Sequence, residues 1–546
     1  MFKTDSLALD RRSLFRLGGL STMLAAGKLA AQDFGTGFTH GVASGEPGAD
    51  RVLLWTRYVS ADEVALQFEL AEDAEFTRIV SGGMVRAHAV HDFCAKAWAT
   101  GLEPGRWYYY RFIAPDGDTS CAGRTRTLPE GDVSRFRLGV FSCSNMGFGY
   151  FNAYAHATQA DDIDCTLHLG DYFYEYPRGD YPSRGQSVPE RILWPEHELV
   201  ALADYRLRYA TYRGDKDLRR LHQLYPMIAG WDDHESANDS WKDGAQNHQP
   251  ESEGEWSVRK AAAMRAYREW MPVSDEPWAH YQVGNLATLY RLETRLTARA
   301  KQFSIGDIIK GKASPEAMEA ALTAFREGSY EDASREMLGA DQLGWLADGM
   351  AASRKSGTVW QVLVQQVLMG KLASPPELLE GASAQAPDYA KARLQTAALA
   401  SKAGLPSNFD AWDGYPAARK RVLSAAQNAG ANLISLAGDT HNAWAFDMAH
   451  GGEAAGIEFA VQGVTSPGLE SYLRGLDPKL LARTVVAFNR QLQWADTSQR
   501  GYMAVELTPE RASCEWRFVD TIRQRSTKLA ATHRMSAAAG ANRLDA

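Results

Sequence analysis

Four strand-like runs in this sequence end among side chains suited to metal binding. FSCSN contains Cys143, GDYFYEY supplies Asp171 and Tyr174, GWDDHESAND supplies Asp232, Asp233, His234 and Asn238, and GDTHNAW supplies Asp439 and His441. A thiolate, a phenolate, an imidazole and a carboxylate together suit a trivalent transition metal, because phenolate and thiolate neutralise a high charge. Carboxylates with an amide oxygen instead suit a hard, oxygen-seeking ion such as calcium. Asp171 is the natural bridge between two such ions. Taken singly, the motifs are less specific: a Gly-Asp after a strand is commonly a turn or helix cap, and Cys143 alone fits a buried core thiol equally well. Asp232-Asp233-His234-Glu235 is harder to read as scaffolding, since four ionisable residues behind the apolar YPMIAGW are costly at a strand end without partners. The conjunction of all four sets points to a metal centre.

Those residues need a scaffold that brings strand ends together. From Ser134 onward, apolar strands alternate with amphipathic helices: RFRLGVFSCS, CTLHLGDYFY, QLYPMIAGWDDHE, VWQVLVQQVLM and ANLISLAGDTHNAW. Each run turns polar at its carboxyl end, the α/β arrangement in which sites form beyond the ends of buried strands. Spacing predicts helices over 198–223, 253–271, 314–352 and 416–429. Upstream, from 33 to about 130, short alternating strands rich in aromatic residues and a Pro-Gly turn in LEPGRWYYYRF predict a sandwich of about seven strands. Residues 527–546, Ala-rich and polar, predict a flexible, frayed tail.

The 546 residues allow roughly two to four domains. A net charge of −8, evenly spread, argues against a nucleic-acid surface, and 45% hydrophobic with 23% charged residues excludes collagen-like, disordered and disulfide-scaffold classes. In residues 1–31, Arg11-Arg12 precedes a short apolar stretch closing on small residues. This predicts a twin-Arg export signal cleaved after Ala31, too short for a membrane span, and a soluble periplasmic or secreted product. The five cysteines show no CxxC spacing, which argues against zinc ribbons and thioredoxin chemistry. Their odd number leaves at least one thiol free, metal-bound or intermolecular in an oxidising compartment. Cys94 and Cys121, both in the N-terminal β region, are the candidates for a bridge.

The succession GVASGEP…VLLWTR, GLEPGRWYYYRF…GRTRTLP, FSCSN, HLGDYFYEY, WDDHESAND, WDGYPAAR, LAGDTHNAW, VTSPG and GYMAVELTPE…EWRFVD resembles the PhoD-type alkaline phosphatases and related phosphodiesterases. The resemblance spans nearly the whole chain after the export segment. It implies a fibronectin-type-III-like sandwich, residues 33–130, followed by a metallophosphoesterase domain, residues 134–526, of two packed mixed sheets flanked by helices. It also implies a centre similar to that of purple acid phosphatases, with ferric iron beside calcium and a cysteine in place of a first aspartate. On that reading Cys143, Asp171, Tyr174 and His441 hold the Fe3+, while Asp171, Asp233 and Asp439 hold Ca2+. Asn238 serves a second calcium, and His234 meets the phosphoryl oxygens or the leaving group. Arg295, in LETRLTAR, fits a phosphate contact or a surface ion pair, and Glu293 stands where the family usually carries an aspartate. His168, flanked by Leu167 and Leu169, is expected to face away from the metals.

The implied activity is hydrolysis of small phosphate esters, monoesters and by extension diesters, by a metal-activated water or hydroxide. No serine nucleophile is needed, and no GxSxG elbow accompanies a triad. The alternative is a phosphodiesterase or phospholipase-D-like hydrolase using the same centre. A rival of another class is an exported binding protein whose sandwich recognises glycan. The twin-Arg export machinery is the expected partner, with no stable nucleic-acid complex, no transmembrane segment and a monomeric state.

Overall fold

The computed structural model describes residues 35–385, 388–406, 408–473 and 475–545, so the proposed export segment 1–31 lies outside the described residues. Two large mixed sheets face each other. One has nine strands in the order Leu529–Ala538, Arg511–Val519, Gly501–Leu507, Phe136–Phe141, Cys165–His168, Pro226–Ala229, Gly37–Gly45, Arg51–Val59 and Cys94–Thr100. The other has seven: Ala279–Val283, Ala287–Arg291, Trp360–Val364, Leu433–Ala437, Glu453–Ala460, Ala443–His450 and Leu492–Asp496. The middle of each sheet is parallel. Parallel strands are covered on both faces, which is why Cys165–His168, Pro226–Ala229, Trp360–Val364 and Leu433–Ala437 are buried at every position and read as unbroken runs. Leu138, Val140, Leu167, Ile228, Val362, Ile434 and Phe459 fill the layer between the sheets. Burial of each Val, Leu, Ile or Phe there contributes about 1.5–3 kcal/mol, so apolar packing holds the strand ends at fixed spacing.

The N-terminal region contributes seven strands in two layers. Gly37–Gly45, Arg51–Val59 and Cys94–Thr100 face a four-stranded sheet of Ile79–Ala87, Val64–Ala71, Trp107–Ile113 and Gly123–Arg126. Val42, Val52, Leu54, Phe68, Leu70, Tyr110 and Phe112 form its core. The first layer also extends the nine-stranded sheet, through parallel pairing of Ser44 with Pro226 and Gly45 with Met227. Gly45 is required at that seam, because a Cβ there would lie 2.1 Å from the Pro272 carbonyl oxygen and 2.7 Å from that of Met227.

Four expectations need correction. The described part of the expected frayed tail, residues 527–545, is ordered structure: Leu529–Ala538 is the edge strand, paired with Arg511–Val519 along its length. His533 stacks on Trp494 at 4.0 Å between ring centroids, and Ala537 and Leu544 join the inter-sheet core. Ala, Thr and Ser blur the alternation that would have marked the strand. The helix expected over 314–352 is two, Pro315–Glu327 and Gly339–Lys355. That over 198–223 divides into Leu202–Arg213 and Lys216–Leu224, because the Asp215 carboxylate accepts from the Asp217 and Leu218 N–H groups and caps a new helix. All five cysteines carry free thiols, so Cys94 and Cys121 do not pair. Among the described residues no helix is long and apolar enough to cross a membrane.

Candidate metal centre

The loops at the carboxyl ends of four parallel strands interlock. Gly170 packs so tightly on the next loop that a Cβ would sit 2.5 Å from the Asp232 backbone nitrogen; at Gly438 it would lie 2.3 Å from Ser142 Oγ. These contacts explain the glycine in both Gly-Asp pairs. The Ser144 N–H donates to the Asp171 carbonyl at 2.8 Å, and the Cys143 N–H to that of Gly170 at 3.3 Å. Glu235 ties two loops by accepting from the Asp171, Tyr172 and Asp232 N–H groups at 3.2, 2.7 and 2.8 Å. Cys143, Asp171, Asp439 and His441 all have left-handed backbone, with φ of 60°, 53°, 61° and 63°. A non-glycine residue there costs of order 1–3 kcal/mol, and such strain clusters at functional sites.

Three sets of donors converge, each with one ligand atom per residue within 4.8 Å of the others: Cys143, Asp171 and His441; Asp171, Asp233 and His234; and Asp232, Asp233 and Asp439. Asp171 thus belongs to two sets. Tyr174 Oη donates to Asp171 Oδ2 at 2.9 Å and lies 3.0 Å from His441 Nε2, while Ser466 Oγ donates to Tyr174 Oη at 2.8 Å. His441 Nδ1–H donates to the Pro467 carbonyl at 2.8 Å, which aims the Nε2 lone pair at the centre. Burial lowers the His441 pKa to about 4, keeping the ring neutral as a ligand must be.

The electrostatics of this donor set fit cations. Asp171 Oδ1 is buried without a hydrogen-bond partner. Burial, reinforced by Asp233 and Asp232 and opposed by His234, raises the Asp171 carboxyl well above the usual range. Burial followed by Asp232 and Asp410 does the same to Asp439, and burial with Asp171 raises the Cys143 thiol. Crowding of this kind disfavours the bare anions and is relieved by a cation.

His234 is held differently. Its Nδ1–H donates to Glu175 Oε2 at 2.6 Å, and Glu175 Oε1 accepts from the Asn238 N–H at 2.8 Å and from Asn247 Nδ2 at 2.7 Å. Burial alone would lower the His234 pKa. The carboxylates of Asp233 and Glu175, followed by Asp171, outweigh it and raise the pKa well above the ordinary value. His234, Asp171, Asp233, Asp439 and His441 line a cleft of about 810 Å³. A second cavity of about 790 Å³ lies between the sandwich and strand Ala279–Val283 and is lined by none of the converging donors.

Family models described as PhoD-like phosphatase and as PhoD-like phosphatase, N-terminal domain match residues 138–516 and 24–129. The chain belongs to the PhoD-like phosphatases. It is 30% identical to alkaline phosphatase D of Bacillus subtilis (strain 168) over 551 aligned positions, covering 93% of this chain and 84% of that protein. The solved structure described as "Structure of PhoD" superposes with a TM-score of 0.75 at 27% identity, covering 93% of this chain and 92% of the other. As a PhoD-like phosphatase, the chain is a phosphoric ester hydrolase with candidate metal-binding clusters at its strand ends.

Within this PhoD-like phosphatase, one sequence expectation is overturned by geometry. Arg295 does not face the cleft as a phosphate contact. It is fully buried, with Nε donating to Asp232 Oδ1 at 2.5 Å and NH1 to both Asp410 oxygens at 2.8 and 2.6 Å, while NH2 lies 3.4 Å from Asp439 Oδ1. A substrate phosphate would have to displace these carboxylates. Glu293 is also structural, accepting from Trp231 Nε1 and from the N–H groups of Arg295, Leu296 and Thr297. Asn238 lines the cleft, and because its Nδ2 donates to Gln246, Oδ1 is the atom a cation would take. His168 pairs with Tyr154 Oη at 3.0 Å and joins none of the three donor sets. Sequence reasoning missed Glu175 and Asp410, because the partners that give them meaning are remote in the chain.

Proposed function

We propose that this PhoD-like phosphatase is an exported, metal-dependent enzyme that hydrolyses small phosphate esters, phosphomonoesters first, using ferric iron and calcium. The observation that carries the reading is Asp171, shared between two donor sets: Cys143 and His441, with the Tyr174 phenol donating to it, on one side, and Asp233 and His234 on the other, next to the carboxylate set of Asp232, Asp233 and Asp439. Cys143, Asp171, Tyr174 and His441 would hold the iron, Asp171, Asp233 and Asp439 would hold calcium, and Asn238 would serve a second calcium. When bound, such a pair of cations supplies an acidified water and clamps the phosphate for in-line displacement. The chain's own residues prepare that event. Ser466 and Pro467 orient Tyr174 and His441, and Glu175 orients the His234 ring by holding Nδ1. His234 then offers Nε2–H to a phosphoryl oxygen or the leaving alcohol. Residues 1–31, with Arg11-Arg12, support twin-Arg export to the periplasm or beyond. The protein acts as a monomer.

The test is hydrolysis of a chromogenic phosphomonoester and diester side by side, with metal analysis of the same preparation. Iron and calcium are expected in comparable molar amounts, tyrosinate ligation should colour concentrated protein, and a calcium chelator should abolish activity reversibly. Full activity with zinc alone would sink the metal assignment, and no hydrolysis of either ester by metal-loaded protein would sink the activity.

A paired substitution isolates the thiol. Cys143→Ser removes the softer anionic donor, and iron affinity should fall by at least the roughly tenfold typical of losing even an outer partner. Cys165→Ser should leave iron unchanged, since Cys165 Sγ donates to the Pro226 carbonyl at 3.3 Å inside the sheet. Equal iron per chain in the two variants would refute the distinction.

A further inference from the structure

The cleft in front of the strand ends has an unusual wall for an enzyme of anionic substrates. Beyond the converging donors it is lined by the phenols Tyr176, Tyr181 and Tyr472, by the carboxylates Asp180, Glu198 and Asp239, and by amides. No lysine or arginine is among its described lining residues. Glu198 is paired with Arg259 at 2.9 Å. Asp180 and Asp239 line the cleft with no side-chain hydrogen bond or ion pair among the described residues.

The placement of these groups is specific. The Asp239 N–H donates to Asp233 Oδ2 at 2.6 Å, which sets Asp239 directly beside the centre, in left-handed backbone with φ of 51°. Tyr176 lies 5.4 Å from the His234 ring and meets Tyr181 edge to face at 5.8 Å; Tyr181 in turn lies 5.5 Å from the Tyr174 ring. An aromatic wall therefore runs outward from the side where His234 awaits the leaving alcohol. The Tyr181 hydroxyl is buried and faces that of Tyr472, another phenol of the same wall. Aromatic faces and carboxylates attract a weakly hydrated cation, which would also favour the ionised form of Asp239 that burial, Asp410 and Asp233 oppose, and they repel a second anion.

We propose that this outer cleft is a subsite for an ammonium group, so that the enzyme selects phosphate esters whose alcohol is cationic. The proposal rests on the phosphatase reading above and adds the charge of the alcohol. Asp239 and Asp180 supply the charge, and Tyr176 and Tyr181 the faces. A neutral polyol would use the amides and phenols but gain nothing from the carboxylates. An alcohol bearing a second anionic group is rejected.

The experiment compares phosphate release from three alkyl monoesters by the metal-loaded enzyme: phosphocholine, its uncharged isostere 3,3-dimethylbutyl phosphate, and the anionic 3-carboxypropyl phosphate. Expected kcat/KM falls in that order, with phosphocholine at least about tenfold above the isostere. Asp239→Asn and Tyr176→Ala should each lower that ratio severalfold. Equal rates for the first two esters, preference for the anionic one, or a ratio unmoved by both substitutions would overturn the subsite. If 4-nitrophenyl phosphate is hydrolysed and none of the three esters is, the subsite also fails while the phosphatase reading stands. If 4-nitrophenyl phosphate is not hydrolysed either, the phosphatase reading itself falls.

Discussion

Asp171→Asn should lose turnover on a phosphomonoester by about 1,000-fold or more and lose both ions together. The carboxylate is nearly isosteric with the amide, so the loop should survive. What goes is a negative charge shared by two donor sets, with its buried Oδ1 the atom left without a protein partner. Several kcal/mol of transition-state charge stabilisation depend on the metal pair, and each 1.36 kcal/mol is about tenfold in rate. His234→Ala should behave differently. It should keep iron and calcium while turnover falls by about 100-fold or more, the usual contribution of a positioned proton donor. The loss should be smallest for esters whose leaving group needs no proton, such as 4-nitrophenyl phosphate. Metal content and turnover measured on both variants decide the matter. If Asp171→Asn retains both ions and near-normal turnover, or His234→Ala loses iron, the two roles are wrongly assigned.

Arg295→Met should destabilise the fold by about 3–5 kcal/mol, the cost of leaving buried charges without their counter-ion. Arg295 sits among Asp232, Asp410 and Asp439, and Arg299 shares Asp410 at 2.5 Å. Removing one guanidinium strands at least two carboxylates in a dry interior. The Asp232 carboxyl, already pushed up to about 6 by burial against the pull of Arg295, would rise further and take up a proton. Arg295→Lys keeps the charge but loses the fork that reaches Asp232 and Asp410 at once, and should fall between wild type and methionine. Thermal unfolding at matched calcium reads the order. A methionine variant as stable as wild type, with only KM raised, would instead mark Arg295 as a substrate contact.

The convergence of these donors was legible because their pattern is local. A strand that is apolar for four or five residues and then presents Cys143, Asp171, Asp233 or Asp439 identifies both its buried body and its reactive end. The parallel sheets then bring these ends together without further instruction. Gly170 and Gly438 were visible as turn residues, but the close approach of Asp232 and Ser142 that demands glycine was not. The fused sheet was hidden for a related reason. The seam at Ser44 and Gly45 rests on two paired positions some 180 residues apart in sequence, and no local pattern encodes such a pairing.

Donor types, their places at strand ends, the N-terminal sandwich and the family can all be read from short-range pattern or ordered motifs. Tertiary structure decided what the charged residues do. Arg295 reads equally as a phosphate contact or a surface ion pair until Asp410, 115 residues away, is seen to hold it buried beneath the candidate centre. Glu175 is an ordinary residue in an aromatic run until His234, 59 residues on, donates to it. Residues 529–538 look like a tail until strand Arg511–Val519 offers them a ladder. The physical reason is common to all three. A side chain's chemistry is intrinsic, whereas its charge state, orientation and exposure are set by neighbours that packing brings from elsewhere in the chain.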